Sequence, residues 1–113
     1  MNLTKNDNKR FQERLDRQVD IYVELPDNLG KVEIVLCQSL DISPAGIRVN
    51  IRDPLPVAVV LDVCAEMDGA RYFLKGEVKW QHQVGNLLET GMELYDASDS
   101  DFELWQQLFL TNE

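Results

Sequence analysis

Apolar residues at alternate positions, interrupted by short turn sequences, are the feature that most constrains the fold of this 113-residue chain. In the first such segment, polar side chains alternate with Val19, Ile21, Val23 and Leu25. A repeat of two is typical of a β-strand with one buried face. The turn-forming segment 26–30 follows, and Asp68-Gly69 favours a second hairpin. The pattern predicts six strands, at residues 19–25, 31–40, 46–51, 57–67, 71–83 and 88–95.

The hydrophobic period changes after residue 96. A helical stripe is formed by Phe102, Trp105, Leu108 and Phe109. This pattern predicts a C-terminal helix over residues 98–110, with Ser98 or Ser100 capping its start. Six antiparallel strands that close on themselves, followed by a helix, make a small all-β barrel over residues 18–95. Barrels of this kind carry ligand sites at their mouths or outer rims.

The chain is long enough for one domain with a modest core. Residues 1–9 are polar and predict a flexible tail. Residues 10–17 favour a short helical turn, with Phe11 and Leu15 on one face, although eight residues are too few for a stable isolated helix. No apolar run approaches the roughly 20 residues that cross a bilayer, and the polar N-terminus does not resemble a secretory signal. We therefore expect a cytoplasmic protein without membrane insertion.

The net charge of −9 argues against binding to DNA, RNA or an anionic membrane. Its distribution is uneven, because residues 1–17 carry a net charge of +2 and the remainder carries −11. This basic arm is either a solvated tail attracted to its own acidic domain or a clamp for an anion.

Two short motifs favour the clamp. Arg10 and Arg14 are four residues apart and can converge on one anion. The sequence Asp41-Ile-Ser43-Pro-Ala-Gly46 begins 27 positions after Arg14 and falls in the predicted loop 41–45. That loop offers a carboxylate, a hydroxyl and a close approach to the backbone. The alternative is that Asp41 and Ser43 only close a hairpin as an Asx-type turn.

These motifs, in this order and in a small β-rich chain, resemble the PilZ domain family over about residues 10–110. Val78–Trp80 and Thr90–Leu94 are similar to later strands of that family. The resemblance implies a six-stranded barrel with a C-terminal helix and a bacterial receptor for the second messenger cyclic di-GMP. It assigns Arg10 and Arg14 to phosphate and guanine recognition, for which the planar fork of arginine is suited.

Asp41, Ser43 and Gly46 complete the expected site. Asp41 can accept hydrogen bonds from guanine or hold an arginine in place. Ser43 can bond a phosphate, a guanine edge or its own backbone. Gly46 is expected where the ligand or a neighbouring strand comes close, or where φ is positive.

Two further residues are candidates for ligand contact. Arg17 lies three residues after Arg14 and either supplements or replaces Arg10. Trp80 either stacks on a guanine or belongs to the core. Arg48 and Arg52, near the Asp41 loop, are expected to be solvated.

No constellation of residues predicts catalysis or a metal site. His82 is the sole histidine and has no nucleophile beside it in sequence. Cys37 and Cys64 lie within apolar strands and are expected to be buried reduced thiols, with a disulfide or metal site as the alternative. A third possibility, a small barrel enzyme such as a flavin-dependent reductase, is disfavoured because the sequence shows no recognisable catalytic group.

Two functions remain. In the first, cyclic di-GMP joins the arginine arm to the barrel, and an unidentified downstream protein reads the change, in a process such as motility or biofilm formation. No cofactor other than this ligand is expected. In the second, the chain is a PilZ-fold adaptor that binds a protein and not the nucleotide.

Overall fold

The computed structural model describes residues 9–11, 18–27 and 29–112. Its elements are, in chain order, β1 (Lys9–Phe11), β2 (Asp20–Pro26), β3 (Val32–Ser43), β4 (Gly46–Ile51), β5 (Val60–Met67), β6 (Ala70–Val84), β7 (Leu87–Tyr95), α1 (Phe102–Gln107) and β8 (Leu110–Asn112).

Strands β2 to β7 form a closed antiparallel barrel in the order β2-β3-β4-β7-β6-β5. Alternate residues point inward and pack in the core, which includes Ile21, Val23, Val49, Val63, Leu74 and Val78. The predicted six-stranded barrel with a C-terminal helix is therefore confirmed. The two-residue hydrophobic repeat led to this prediction, because each barrel strand has one face for the core and one for solvent.

Two predicted strand boundaries differ from the structure by three residues, namely the end of β3 and the start of β5. Asp41 and Ser43 lie in strand β3, and the connection to β4 is only the two-residue turn Pro44-Ala45. The predicted loop 41–45 was therefore wrong for its first three residues, which pair with β4. Residues 57–59 precede β5, and Ala58 has a φ of 66°. An L-residue in that conformation interrupts the extended backbone that a strand requires.

The C-terminal helix is shorter than the predicted range 98–110. It begins after Asp101 and no side chain caps it, because the Ser100 hydroxyl donates to the carbonyl of Ala97 instead. The prediction that Ser98 or Ser100 caps the helix was wrong. The Asp101 carboxylate accepts from the backbone N–H of Phe73 and so ties the start of α1 to β6.

Helix α1 packs on the barrel through Trp105, which is buried against Phe109 and Tyr72. The indole N–H of Trp105 donates to the carbonyl of Ser43 at 2.9 Å, and the Gln106 amide donates to the carbonyl of Pro44 at 2.6 Å. The helix therefore fixes the β3–β4 turn.

Residues 9–11 form a strand that pairs with β8, with Arg10 opposite Thr111. The predicted helical turn over residues 10–17 was therefore wrong for residues 10 and 11, which belong to strand β1. Residues 12–17 of the predicted arm, and residues 1–8 of the predicted tail, lie outside the described residues. The six residues of α1 are far fewer than the roughly 20 that cross a bilayer. Among the described residues, no helix has the length and apolar character needed to cross a membrane.

Candidate functional site

A groove of about 360 Å³ lies on the outer face of the barrel beside the β3–β4 turn. One wall comes from the β3–β4 hairpin and includes Asp41, Ser43 and Gly46. Strands β6 and β7 form the opposite wall, and Trp80 lies there. Residues separated by almost 40 positions thus share one groove, because β7 lies between β4 and β6 in the sheet.

Asp41 and Arg48 form the most developed polar contact of the groove. Nε and Nη2 of Arg48 donate to Oδ2 of Asp41 at 3.0 and 2.6 Å. Nη1 of Arg48 donates to Glu89 on β7 at 3.3 Å. The hydrogen bond to Asp41 is the main reason that the pKa of Arg48 is raised above its ordinary value, so this guanidinium stays charged. The side chain of Asp41 is buried, whereas that of Arg48 is about one-third exposed toward the groove.

The prediction that Arg48 is simply solvated was wrong. The sequence did contain a signal for its true position, since strand alternation places Arg48 on the outer face of β4. Its partner Glu89 is 41 residues away, and only the barrel register brings the two together. Of the two roles expected for Asp41, holding an arginine is the one that the structure contains.

Ser43 and Gly46 close the turn. The Ser43 hydroxyl donates to the carbonyl of Gly46 at 3.2 Å, which is the backbone contact expected as one of its alternatives. A Cβ at position 46 would lie 3.0 Å from the carbonyl oxygen of Met92, so the neighbouring strand comes close at this glycine. Of the reasons expected for Gly46, the close approach of a strand is confirmed.

Trp80 is 40% exposed and does not belong to the core. Its ring stacks on His82, with centroids 4.9 Å apart and planes 11° apart. The ring also covers Gly91, where a Cβ would fall within van der Waals distance of three indole atoms. A register shift in β6 between Val78 and Trp80 accompanies this arrangement. The indole of Trp80 therefore gives the groove a flat aromatic surface at its rim.

A second set of ionic contacts borders the groove. Lys79 lies 3.3 Å from Glu93 and 3.4 Å from Glu77. Hydrogen bonding to Glu93 is the first cause of the raised pKa of Lys79. The four charged residues that line the groove are balanced in sign: Asp41, Arg48, Lys79 and Glu93. A polyanionic ligand would therefore need positive charge from elsewhere.

The predicted arm arginines are only partly described. Arg10 lies in β1, where its backbone pairs with Thr111. Arg14 and Arg17 lie outside the described residues, so their contact with the groove stays a prediction. Within the described ranges, no three His, Cys, Asp or Glu side chains are arranged to hold a metal ion. Cys37 and Cys64 form no disulfide; Cys37 is buried and Cys64 is half-buried.

Comparison with known proteins identifies the fold. A family model for the PilZ domain matches residues 8–110. The Bacillus subtilis inhibitor of motility MotI/DgrA superposes with a TM-score of 0.65 and 18% sequence identity, over 85% of this chain and 47% of that protein. The chain thus spans about half the length of that inhibitor.

A second solved structure, the PilZ domain of CeSA from a cellulose synthesizing bacterium, has a TM-score of 0.57 and 18% identity, over 87% of this chain and 95% of that one. At this identity the two likenesses show the fold alone. No curated protein matches the sequence significantly. Because the family model matches nearly the whole length, the chain belongs to the PilZ domain family.

Proposed function

We propose that this PilZ domain is a receptor for cyclic di-GMP that signals to a partner protein. PilZ domains are receptor and adaptor domains. The observation that carries the proposal is the single groove that collects Asp41, Ser43 and Gly46 on one wall and Trp80 on the other. A nucleotide needs polar groups for its phosphates and base edges and a flat apolar surface for a base, and this groove offers both.

Arg48 enters the proposed site as a residue of the barrel wall. Its contacts with Asp41 and Glu89 use three of the five guanidinium N–H groups. Two donors remain for a phosphate oxygen or a guanine edge. Because two carboxylates already fix the plane of the guanidinium, less side-chain entropy is lost when the ligand binds. In this proposal Asp41 acts by positioning Arg48.

Arg10 and Arg14 are proposed to supply the positive charge that the groove lacks, with Arg17 as a third contributor. A chain of contacts connects the start of this arm with the groove. Strand β1 pairs with β8, which follows Phe109, and Phe109 packs against Trp105. Trp105 in turn donates to the carbonyl of Ser43 on the groove wall. This connection supports an arm that begins close to the ligand.

The proposed signal is a change in the arm. Cyclic di-GMP would join the arginines of residues 10–17 to the barrel wall, and a partner protein would recognise the resulting surface. A ligand can shift such an equilibrium only by its difference in affinity for the two states. A cytoplasmic location is part of this proposal. One structural neighbour is an inhibitor of motility, so motility is the first process in which to seek the partner, with biofilm formation second.

Titration calorimetry tests the proposal. We expect cyclic di-GMP to bind the purified protein with micromolar or tighter affinity, Arg14→Ala to abolish the heat, and GTP to give none. Arg52→Ala is the matched control, because Arg52 is exposed and does not line the groove. No heat from a folded wild-type protein would contradict the receptor function and favour the adaptor, whose function depends on a protein partner alone.

A further inference from the structure

The N-terminal half of β3 has a strand partner on only one side in the part of the chain that the structure describes. Strand β2 pairs with residues 32–38. Strand β4, on the other side, begins its pairing with β3 at Gln38. Residues 32–36 therefore extend past the end of β4 as an edge.

Hydrogen bonding shows which residues face this edge. Ser39 N–H donates to the carbonyl of Val19, and Asp27 N–H donates to the carbonyl of Lys31. The odd-numbered residues of this segment are thus bonded toward β2. Successive residues of an antiparallel strand direct their backbone groups to opposite sides. The N–H and C=O groups of Val32, Ile34 and Leu36 consequently point to the open side.

The same three residues make the outer face of this edge apolar. Val32, Ile34 and Leu36 are 55%, 54% and 59% exposed. Natural sheet edges are usually protected by charged side chains, proline or bulges. Residues 32–36 contain no proline or bulge, and their one charged side chain is Glu33, which lies on the face opposite the apolar one. Beside Val32, a shallow pocket of about 170 Å³ extends the apolar surface with Pro26, Val59 and Val60.

Acidic side chains are in excess beside this surface, where the exposed Lys31 precedes Val32. Glu24 lies opposite Ile34 on β2, and Asp62 follows it on β5. Glu33 is exposed on the opposite face of the edge from Ile34. Asp62 is paired with Lys75, whereas Glu24 and Glu33 have no ion pair with another described residue. The charge near the edge has the same sign as the net charge of −9.

This charge distinguishes between two occupants of the edge. A second copy of the chain would bring another −9 beside the same carboxylates, and like charges disfavour that association. An extended segment with basic residues would be attracted. Alternation of its side chains would place apolar residues beside Val32, Ile34 and Leu36, and basic residues on the face that carries Glu33.

We propose that the Val32–Leu36 edge binds an extended segment of a partner protein, in which apolar and basic residues alternate, by adding it to the sheet as a strand. The backbone groups of the edge provide hydrogen bonds in register, and the apolar face and the carboxylates select the sequence. The edge does not include the groove beside Trp80, so it can act whether or not the groove binds a nucleotide.

The test uses the full chain and two capped eight-residue peptides, one alternating Lys with Val and the other alternating Glu with Val. Amide hydrogen exchange by NMR reports the edge directly. With the Lys-Val peptide at about ten times its Kd, we expect exchange at Val32, Ile34 and Leu36 to slow about tenfold. We expect no slowing with the Glu-Val peptide. Ile34→Lys should abolish the effect, whereas Val84→Lys, which alters a side chain of similar exposure on β6, should preserve it.

Several outcomes would overturn the proposal. They are unchanged exchange at the three edge amides with the Lys-Val peptide, equal slowing with the Glu-Val peptide, and slowing that survives Ile34→Lys in a folded protein. Sedimentation of the wild type without peptide is the remaining measurement. Wild-type dimers that Ile34→Lys dissociates would assign the edge to a second copy instead. Calorimetry with cyclic di-GMP on Ile34→Lys should match the wild type, so a failure of this proposal is distinguishable from a failure of the receptor function.

Discussion

At the scale of single residues, Asp41 and Arg48 determine the shape of the groove wall. The sequence indicated that Asp41 could hold an arginine, and alternation placed Arg48 outward on the next strand. The identity of the pair depends on the two-residue turn, which sets Asp41 opposite Arg48. A loop of the predicted length would have separated them.

Replacement of Arg48 tests this pair. Arg48→Ala removes two hydrogen-bond donors from the buried Asp41 carboxylate, and we expect a loss of about 1–3 kcal/mol in the free energy of unfolding. Arg48→Lys should recover only part of it, because an ammonium cannot present the planar fork that reaches both carboxylates. Urea denaturation measures the loss, with Arg52→Ala as the exposed control. Equal midpoints for Arg48→Ala and Arg52→Ala would show that the pair does not stabilise the wall.

Gly91 determines where Trp80 lies. In Gly91→Ala the new methyl group would overlap the indole ring, so Trp80 must move away from the groove wall. We expect a changed tryptophan emission spectrum, weaker binding of cyclic di-GMP and a loss of stability of about 1–3 kcal/mol. Gly76→Ala is the control, since its Cβ would meet Leu94 and Val63 at ordinary contact distances of 3.5 Å. An unaltered emission spectrum in Gly91→Ala would contradict this account of the rim.

Cys37 gives a prediction for alkaline pH. Burial raises the pKa of its thiol from 9.0 to about 11. Between these values the folded state retains a proton that the unfolded state loses, so this contribution to stability is present below pH 9 and declines as the pH rises. From pH 8 to pH 10 we expect a loss of about 1 kcal/mol that Cys37→Ala does not share. Urea denaturation of both proteins at the two pH values measures the difference, and parallel declines would contradict it.

At the scale of elements, the regular strands were predictable and the short ones were not. The six barrel strands have enough alternating residues to be recognised from sequence. Strands β1 and β8 have three residues each and pair across the whole chain length, so no local pattern indicates them. The helix was predicted too long because Phe109 continues its apolar stripe, although the backbone leaves the helix after Gln107.

The pairing of β1 with β8 predicts a role for the last residues of the chain. Deletion of residues 110–113 removes the partner strand of Lys9–Phe11 and leaves all six barrel strands. We expect affinity for cyclic di-GMP to fall about tenfold or more, because ligand binding would then have to order an arm that has lost its partner strand. Calorimetry measures the affinity, and circular dichroism should show an unchanged barrel. Wild-type affinity in the truncated protein would mean that β8 does not position the arm.

At the scale of the whole molecule, we propose that a basic arm and a nearly neutral groove together form a nucleotide site on an acidic domain. The acidic surface repels a dianionic ligand elsewhere, so binding should be confined to the groove. The sequence supplied the motifs of the arm and the turn. It did not supply Arg48 or the contact of Trp80 with Gly91, because both depend on strand register around the barrel.

The most direct test is a ¹H–¹⁵N correlation spectrum recorded during titration with cyclic di-GMP, since it reports binding and location together. We predict shifts concentrated at Ser43, Gly46, Arg48, Gly91 and the indole N–H of Trp80, with further shifts in residues 10–17. The resonances of Phe73 and Cys64, on the face formed by β5 and β6, should not move. A spectrum without shifts, or one in which they cluster away from the groove, would contradict the account.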